Sequence, residues 1–152
     1  MFTPGWKRKW RERKIDKSLN YLALARKAGC AELGEEPVGA ITRAGKGYLV
    51  MVAGDASDHT WRRAKSFVAG TNQQCIRLKF TKEELGFVIG RTSLAIAAIT
   101  DAPLALALVK ALGEPEKYKD ALAALEEKTQ KMKKRQAEAK AHKRNVRVGK
   151  KK

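Results

Sequence analysis

Two stretches decide most of what this chain can fold into. "YLVMVA" at 48–53 and "LAIAAI" at 94–99 are unbroken apolar runs too short for helices, and the first is bracketed by Gly47 and Gly54. A half-exposed strand would alternate, so runs of this kind are expected of strands covered on both faces. The segments around them supply the cover. Ser18 can cap a helix whose apolar positions Leu19, Leu22, Ala23 and Ala25 lead to Gly29 as its stop. "CAEL" reads as a short strand, followed by a helix from Glu35 to Ala44 closed by Gly45. "SDHTWRRAKSFVAG" at 57–70 reads as a helix with Ser57 or Asp58 as cap, and "CIRLKF" alternates like a half-exposed strand. Thr81 and Glu84 form a capping box before Leu85, Val88 and Ile89, and Asp101 with Pro103 opens a helix ending at Gly113. Alternating helices and strands predict an α/β fold, a three-layer sandwich with a mostly internal sheet.

After Gly113 the pattern changes. Pro115 stands at a favourable first-turn position, and helix-favouring residues then run for about thirty positions. Tyr118, Ala121, Leu122 and Leu125 fall on one face, so the first turns are expected to dock on the core. Beyond Lys128 that face holds only Met132 and alanines, and the distal helix has little to bury. The result is a long basic C-terminal helix.

Charge separates the same regions. The chain carries 33 Lys and Arg against 16 Asp and Glu, a formal +17 over 152 residues. Residues 1–17 have a net +5, residues 18–113 a net +4 and residues 114–152 a net +8. From Lys128 onward twelve cations face Glu138 alone. We therefore divide the chain into a basic N-terminal arm (1–17), a globular α/β domain (18–113) and a basic helical extension (114–152). A charge this positive points to a polyanionic partner, nucleic acid first and an acidic membrane surface second. The basic helix lacks the wide apolar face that membrane binding needs, and no apolar run approaches 18 residues, so no membrane span is expected. The N-terminus has positive charge without the apolar segment of a signal peptide, which predicts a cytoplasmic protein.

Catalytic and metal-binding patterns are thin. Cys30 and Cys75 are too few for a disulfide framework or zinc site and read as free thiols. Asp55, Asp58 and His59 sit where helix-capping groups are common, so a metal site is not expected. "GFVIGR" fails the phosphate-loop spacing, and no Ser-His-Asp or Cys-His pairing presents itself. No enzyme activity and no cofactor are predicted. Trp6 and Trp10, interleaved with Lys7, Arg8, Lys9, Arg11 and Arg13, admit two readings: docking on the protein's own surface, or stacking on unpaired bases.

Five strings in order, "LALARKAG" (22–29), "GEE" (34–36), "RAGKGYLVMVAGDAS" (43–57), "TKEELGFVIGR" (81–91) and "AIAAITD" (95–101), resemble the kink-turn-binding ribosomal protein family of the L-seven-Ae and L-thirty-e type, especially its YlxQ-like bacterial branch. The likeness covers about residues 18–112. It implies a four-stranded mixed sheet and RNA binding through the turn into the second helix, here Gly34, Glu35 and Glu36, and the loop before the last strand, here Arg91, Thr92, Ser93 and Leu94. A carboxylate there can accept from the N1–H and N2–H₂ of a guanine outside Watson–Crick pairing. The same acids also complement the helix dipole, and both readings stand. This chain departs from the family pattern: Glu35 replaces an asparagine, Pro37 enters the first turn, and Gly39 and Ala40 fall where a lysine is usual. The nearest available cations are Arg43 and Lys46, which are counted among the expected RNA contacts.

These features predict a ribosomal or ribosome-associated RNA-binding protein, monomeric off the RNA, contacting structured rRNA and neighbouring ribosomal proteins. Its arms would grip phosphates through Lys7, Arg8, Lys9, Lys133, Lys134, Arg135, Lys143, Arg144 and Arg147, with Trp6 as the aromatic RNA contact among them. The alternative is an accessory subunit of an rRNA-modifying enzyme.

Overall fold

Both apolar runs become the centre of one sheet. The computed structural model describes residues 16–149, with side chains as far as Lys143. Its elements are α1 (Lys17–Lys27), β1 (Ala31–Leu33), α2 (Glu35–Arg43), β2 (Leu49–Val52), α3 (Asp58–Val68), β3 (Gln74–Arg77), α4 (Lys82–Val88), β4 (Ile96–Ile99), α5 (Ala102–Ala111) and α6 (Lys119–Gly149). The strand order is β1-β4-β2-β3. Every residue of β2 and β4 is buried, and the two pair antiparallel with Leu49 opposite Ile99 and Val52 opposite Ile96. β1 pairs antiparallel with the far edge of β4, and β3 lies parallel to β2. Edge strands need less cover, and β1 and most of β3 are only half-buried. α2 and α3 pack on each other against the sheet, while α1, α5 and α6 pack in series on its other side. This is the expected three-layer α/β/α sandwich with a four-stranded mixed sheet.

Direction matters more than layer count. β4 runs against its neighbours, so β1, β2 and β3 all point the same way. One end of the sheet therefore gathers the turn after β1, the loops after β2 and β3, and the loop before β4. The other end gathers the connections entering β2 and β3.

The helix starts follow capping chemistry, with three departures from expectation. Asp16, not Ser18, is the first cap: its Oδ1 accepts from Ser18 N at 3.0 Å and from the Ser18 hydroxyl at 2.6 Å. Ser18 is itself buried, so its hydroxyl is spent as a donor. Asp55 caps α4 rather than its neighbouring helix, accepting from Lys82 N at 2.8 Å. Pro115 lies in the turn before α6 instead of its first turn. Ser57, Asp101 and the Thr81–Glu84 capping box behave as the sequence predicts.

The Ser18 hydroxyl bond holds the Asp16 carboxyl below its ordinary value, aided by the Ser18 N–H and Lys79 and opposed by partial burial. A carboxyl that titrates lower in the folded state contributes stability above its unfolded value and loses it as pH falls through the folded one. Asp16→Ala should cost about 1 kcal/mol at pH 7 in urea denaturation. The difference between wild type and Asp16→Asn should shrink as the pH is lowered through the carboxylate range.

Tyr118, Ala121 and Leu125 of the C-terminal segment are buried in the core, and Leu122 packs against it. Docking continues one turn further than predicted. Thr129 is 5 % exposed, and Lys128 Nζ donates to Asn72 O at 3.1 Å while sitting 4.9 Å from the Tyr48 ring centroid. From Lys133 to Lys143 every residue is exposed.

Candidate nucleic-acid interface

The turn into α2 is built on Gly34. Its φ of 99° is one that side-chain-bearing residues rarely adopt, and its N–H donates to Ile96 O at 3.0 Å. That bond fastens the turn to the entry of β4. The register explains why: Leu33 pairs with Ala97, so the end of β1 and the start of β4 coincide. Gly34–Glu36 and the loop before β4 are thereby brought to one end of the sheet, as the resemblance implies.

The loop is held from below by α4. A Cβ on Gly86 would lie 2.6 Å from Ser93 Cα, so only glycine allows this approach. Arg91 N donates to Gly86 O at 2.8 Å, and Leu94 N to Lys82 O at 2.9 Å. Leu94 is 3 % exposed; its side chain anchors the loop in the core rather than offering a contact surface. Arg91, Thr92 and Ser93 are exposed.

The two glutamates part company. Glu35 Oε1 lies 2.6 Å from Arg63 Nε of α3. This oxygen is shielded from solvent and has no well-aligned hydrogen bond, so the guanidinium meets it as a charge. Both side chains remain about half exposed, and such a pair adds at most about 1 kcal/mol. Arg63 also stacks over Phe67, 5.6 Å from the ring centroid. Glu36 is exposed and has no ion-pair partner among the described residues. Beside Gly34, one carboxylate is thus held by the protein and the other is presented outward.

Arg43 and Lys46 are not at this end. α2 has nine residues, about 13 Å of helix, which puts Arg43 at its far terminus and Lys46 in the turn beyond. Among the described residues the cation paired with Glu35 is Arg63, which sequence reasoning missed because nothing local relates residue 63 to residue 35.

At the opposite end of the sheet, the α2–β2 turn, the loop before β3 and α6 enclose a cleft of about 610 Å³, lined in part by Arg43, Tyr48, Asn72, Lys128, Lys131 and Arg135. Desolvation pushes the Lys128 ammonium below its ordinary value. Of the predicted tail contacts, Arg135 lines this cleft, and like Lys133, Lys134 and Lys143 it is exposed. Arg144 and Arg147 continue the α6 backbone, but their side chains lie outside the described residues, as do Trp6, Lys7, Arg8, Lys9 and Trp10.

Among the described residues no three His, Cys, Asp or Glu groups are placed to hold a metal. Burial pushes the Cys75 thiol up to about 12, which leaves it almost wholly protonated and unreactive at neutral pH. No described helix is long and apolar enough to cross a membrane.

No protein-family model matches the chain, and no curated protein matches its sequence. Solved structures do. A protein of unknown function from Bacillus halodurans is 25 % identical with a TM-score of 0.60, over 65 % of this chain and 99 % of that one. A 15.5kD RNA-binding protein from Giardia lamblia is 17 % identical with a TM-score of 0.53, over 63 % of this chain and 82 % of that one. The α/β/α sandwich is therefore a fold this chain shares with proteins of widely separated organisms.

Proposed function

We propose that this protein is a non-catalytic RNA-binding protein that uses the Gly34–Glu36 turn and the Arg91–Ser93 loop to recognise structured RNA. The observation that carries the reading is the exposed Glu36 carboxylate, without an ion-pair partner among the described residues, beside the side-chain-free Gly34. In a chain of net +17, an unneutralised acid at the expected contact edge is suited to guanine N–H donors, not to phosphates. The shared fold of the Giardia RNA-binding protein supports it, as does the placement of both segments at one end of the sheet. The RNA best matched to this edge contains sheared G·A pairs of the kink-turn type, as structured rRNA does. Ribosome association in the cytoplasm is part of the same proposal.

Glu36→Ala should weaken binding to a G·A-containing hairpin by about tenfold, within the 1–3 kcal/mol expected of a specific base contact, and leave a plain duplex nearly unaffected. Glu35→Ala should do less to discrimination, because that carboxylate is already engaged by Arg63. Equal losses on both RNAs from the Glu36 change, read by filter binding at fixed salt, would refute base reading. Co-sedimentation with ribosomes at low and moderate salt tests the ribosomal assignment.

A further inference from the structure

We propose that the cleft between the α2–β2 turn, the loop before β3 and α6 is a second RNA site, taking a phosphodiester segment distinct from the one at the Gly34–Glu36 edge. The protein would then hold two RNA segments at opposite ends of its sheet. The inference shares with the proposed function only that the ligand is RNA.

The cleft gathers cations from distant parts of the chain. Arg43 comes from the end of α2, and Lys128, Lys131 and Arg135 come from successive turns of α6; no carboxylate lines it. Arg43 is kept in place by its Nε donating to Gly39 O at 3.1 Å. Lys128 is half-buried on the Tyr48 ring and bonded to a carbonyl, not a carboxylate. Glu127 pairs with Lys131 at 3.2 Å, but on the solvent side, where both groups are about two-thirds exposed. Like charges converging around a concave surface repel one another, and an anion bound there relieves that repulsion while regaining charge-assisted hydrogen bonds. Its volume is within the range of ordinary ligand sites.

A polymer fits better than a small anion. α6 leaves the cleft carrying Lys133, Lys134, Lys140 and Lys143, all exposed, so a strand seated on Arg43 and Arg135 finds further cations along the helix. Lys128 already covers the Tyr48 ring, which favours backbone contacts over base stacking.

The test uses the full chain and an oligo(U) strand, which offers phosphates but no guanine. Arg43→Gln with Arg135→Gln should weaken oligo(U) binding at least tenfold and reduce the slope of log K against log salt by about 1.4, at roughly 0.7 per lost single-strand phosphate contact. Lys133→Gln with Lys134→Gln removes the same charge from outside the cleft and should cost clearly less. A melting temperature unchanged in both variants excludes misfolding. Saturation with a G·A hairpin should leave oligo(U) bound in a ternary complex. Equal losses from the two pairs, displacement of oligo(U) by the hairpin, or binding of UMP as tight as that of the oligonucleotide would each overturn the proposal. The cleft variants are scored on oligo(U) and Glu36→Ala on the G·A hairpin, so failure of the cleft site and of guanine reading are told apart.

Discussion

Deleting residues 137–152 should leave the domain folded and lower its affinity for RNA of any sequence. The segment holds seven Lys and Arg against Glu138, and its described side chains are exposed. If four of these cations reach phosphates of a duplex, the salt slope should fall by about 3.6, which accounts for roughly 100-fold of the affinity change between 50 and 200 mM salt. Deletion from Lys128 would be a poorer experiment. Lys128, Thr129 and Met132 lie against the domain or its cleft, so a shorter chain would confound charge with packing. Titration of a plain duplex against both lengths of chain at two salt concentrations reads the result.

Leu125→Ala should have the largest effect on stability. Leu125 is fully buried in the hydrophobic core, so truncation leaves a cavity beneath the helix that packs on α5. A buried Leu→Ala change costs about 2–5 kcal/mol, and a loss near 3 kcal/mol in a domain of this size lowers Tm by roughly 10 °C. A loss below about 1 kcal/mol in chemical denaturation would mean that α6 is not docked as described. Because α6 forms one wall of the basic cleft, the same variant should weaken oligo(U) binding even where it remains folded.

The parts of this structure that were legible in the sequence are those governed by neighbours along the chain. β2 and β4 announce themselves by length, apolarity and flanking residues, and the Thr81–Glu84 box and Asp101 cap need only a spacing of three. Where two groups compete for one job, local reasoning falters: Asp16 and Ser18 can each cap α1, and in the fold Asp16 takes the role with the Ser18 N–H and hydroxyl as its donors. Pairing across elements leaves no local trace at all. The Glu35–Arg63 contact depends on how α3 lies against α2. The basic cleft depends on α6 returning to the turn after α2, which assigns Arg43 to a different end of the molecule from the glutamates it follows in sequence. Gly34–Glu36 and Arg91–Ser93 could be anticipated as a pair because the resemblance carried the topology with it.

The unbroken course of α6 sets a distance. Its docked turns fix where the helix points, and from Gln136 at the cleft to Gly149 it advances thirteen residues, about 20 Å. A flexible tail would search a volume for phosphates; this one carries Lys140 and Lys143 along a line whose bearing the core dictates. If the cleft takes RNA as proposed, the extension acts as a ruler: a strand seated there reaches the outer cations only where its backbone follows that line.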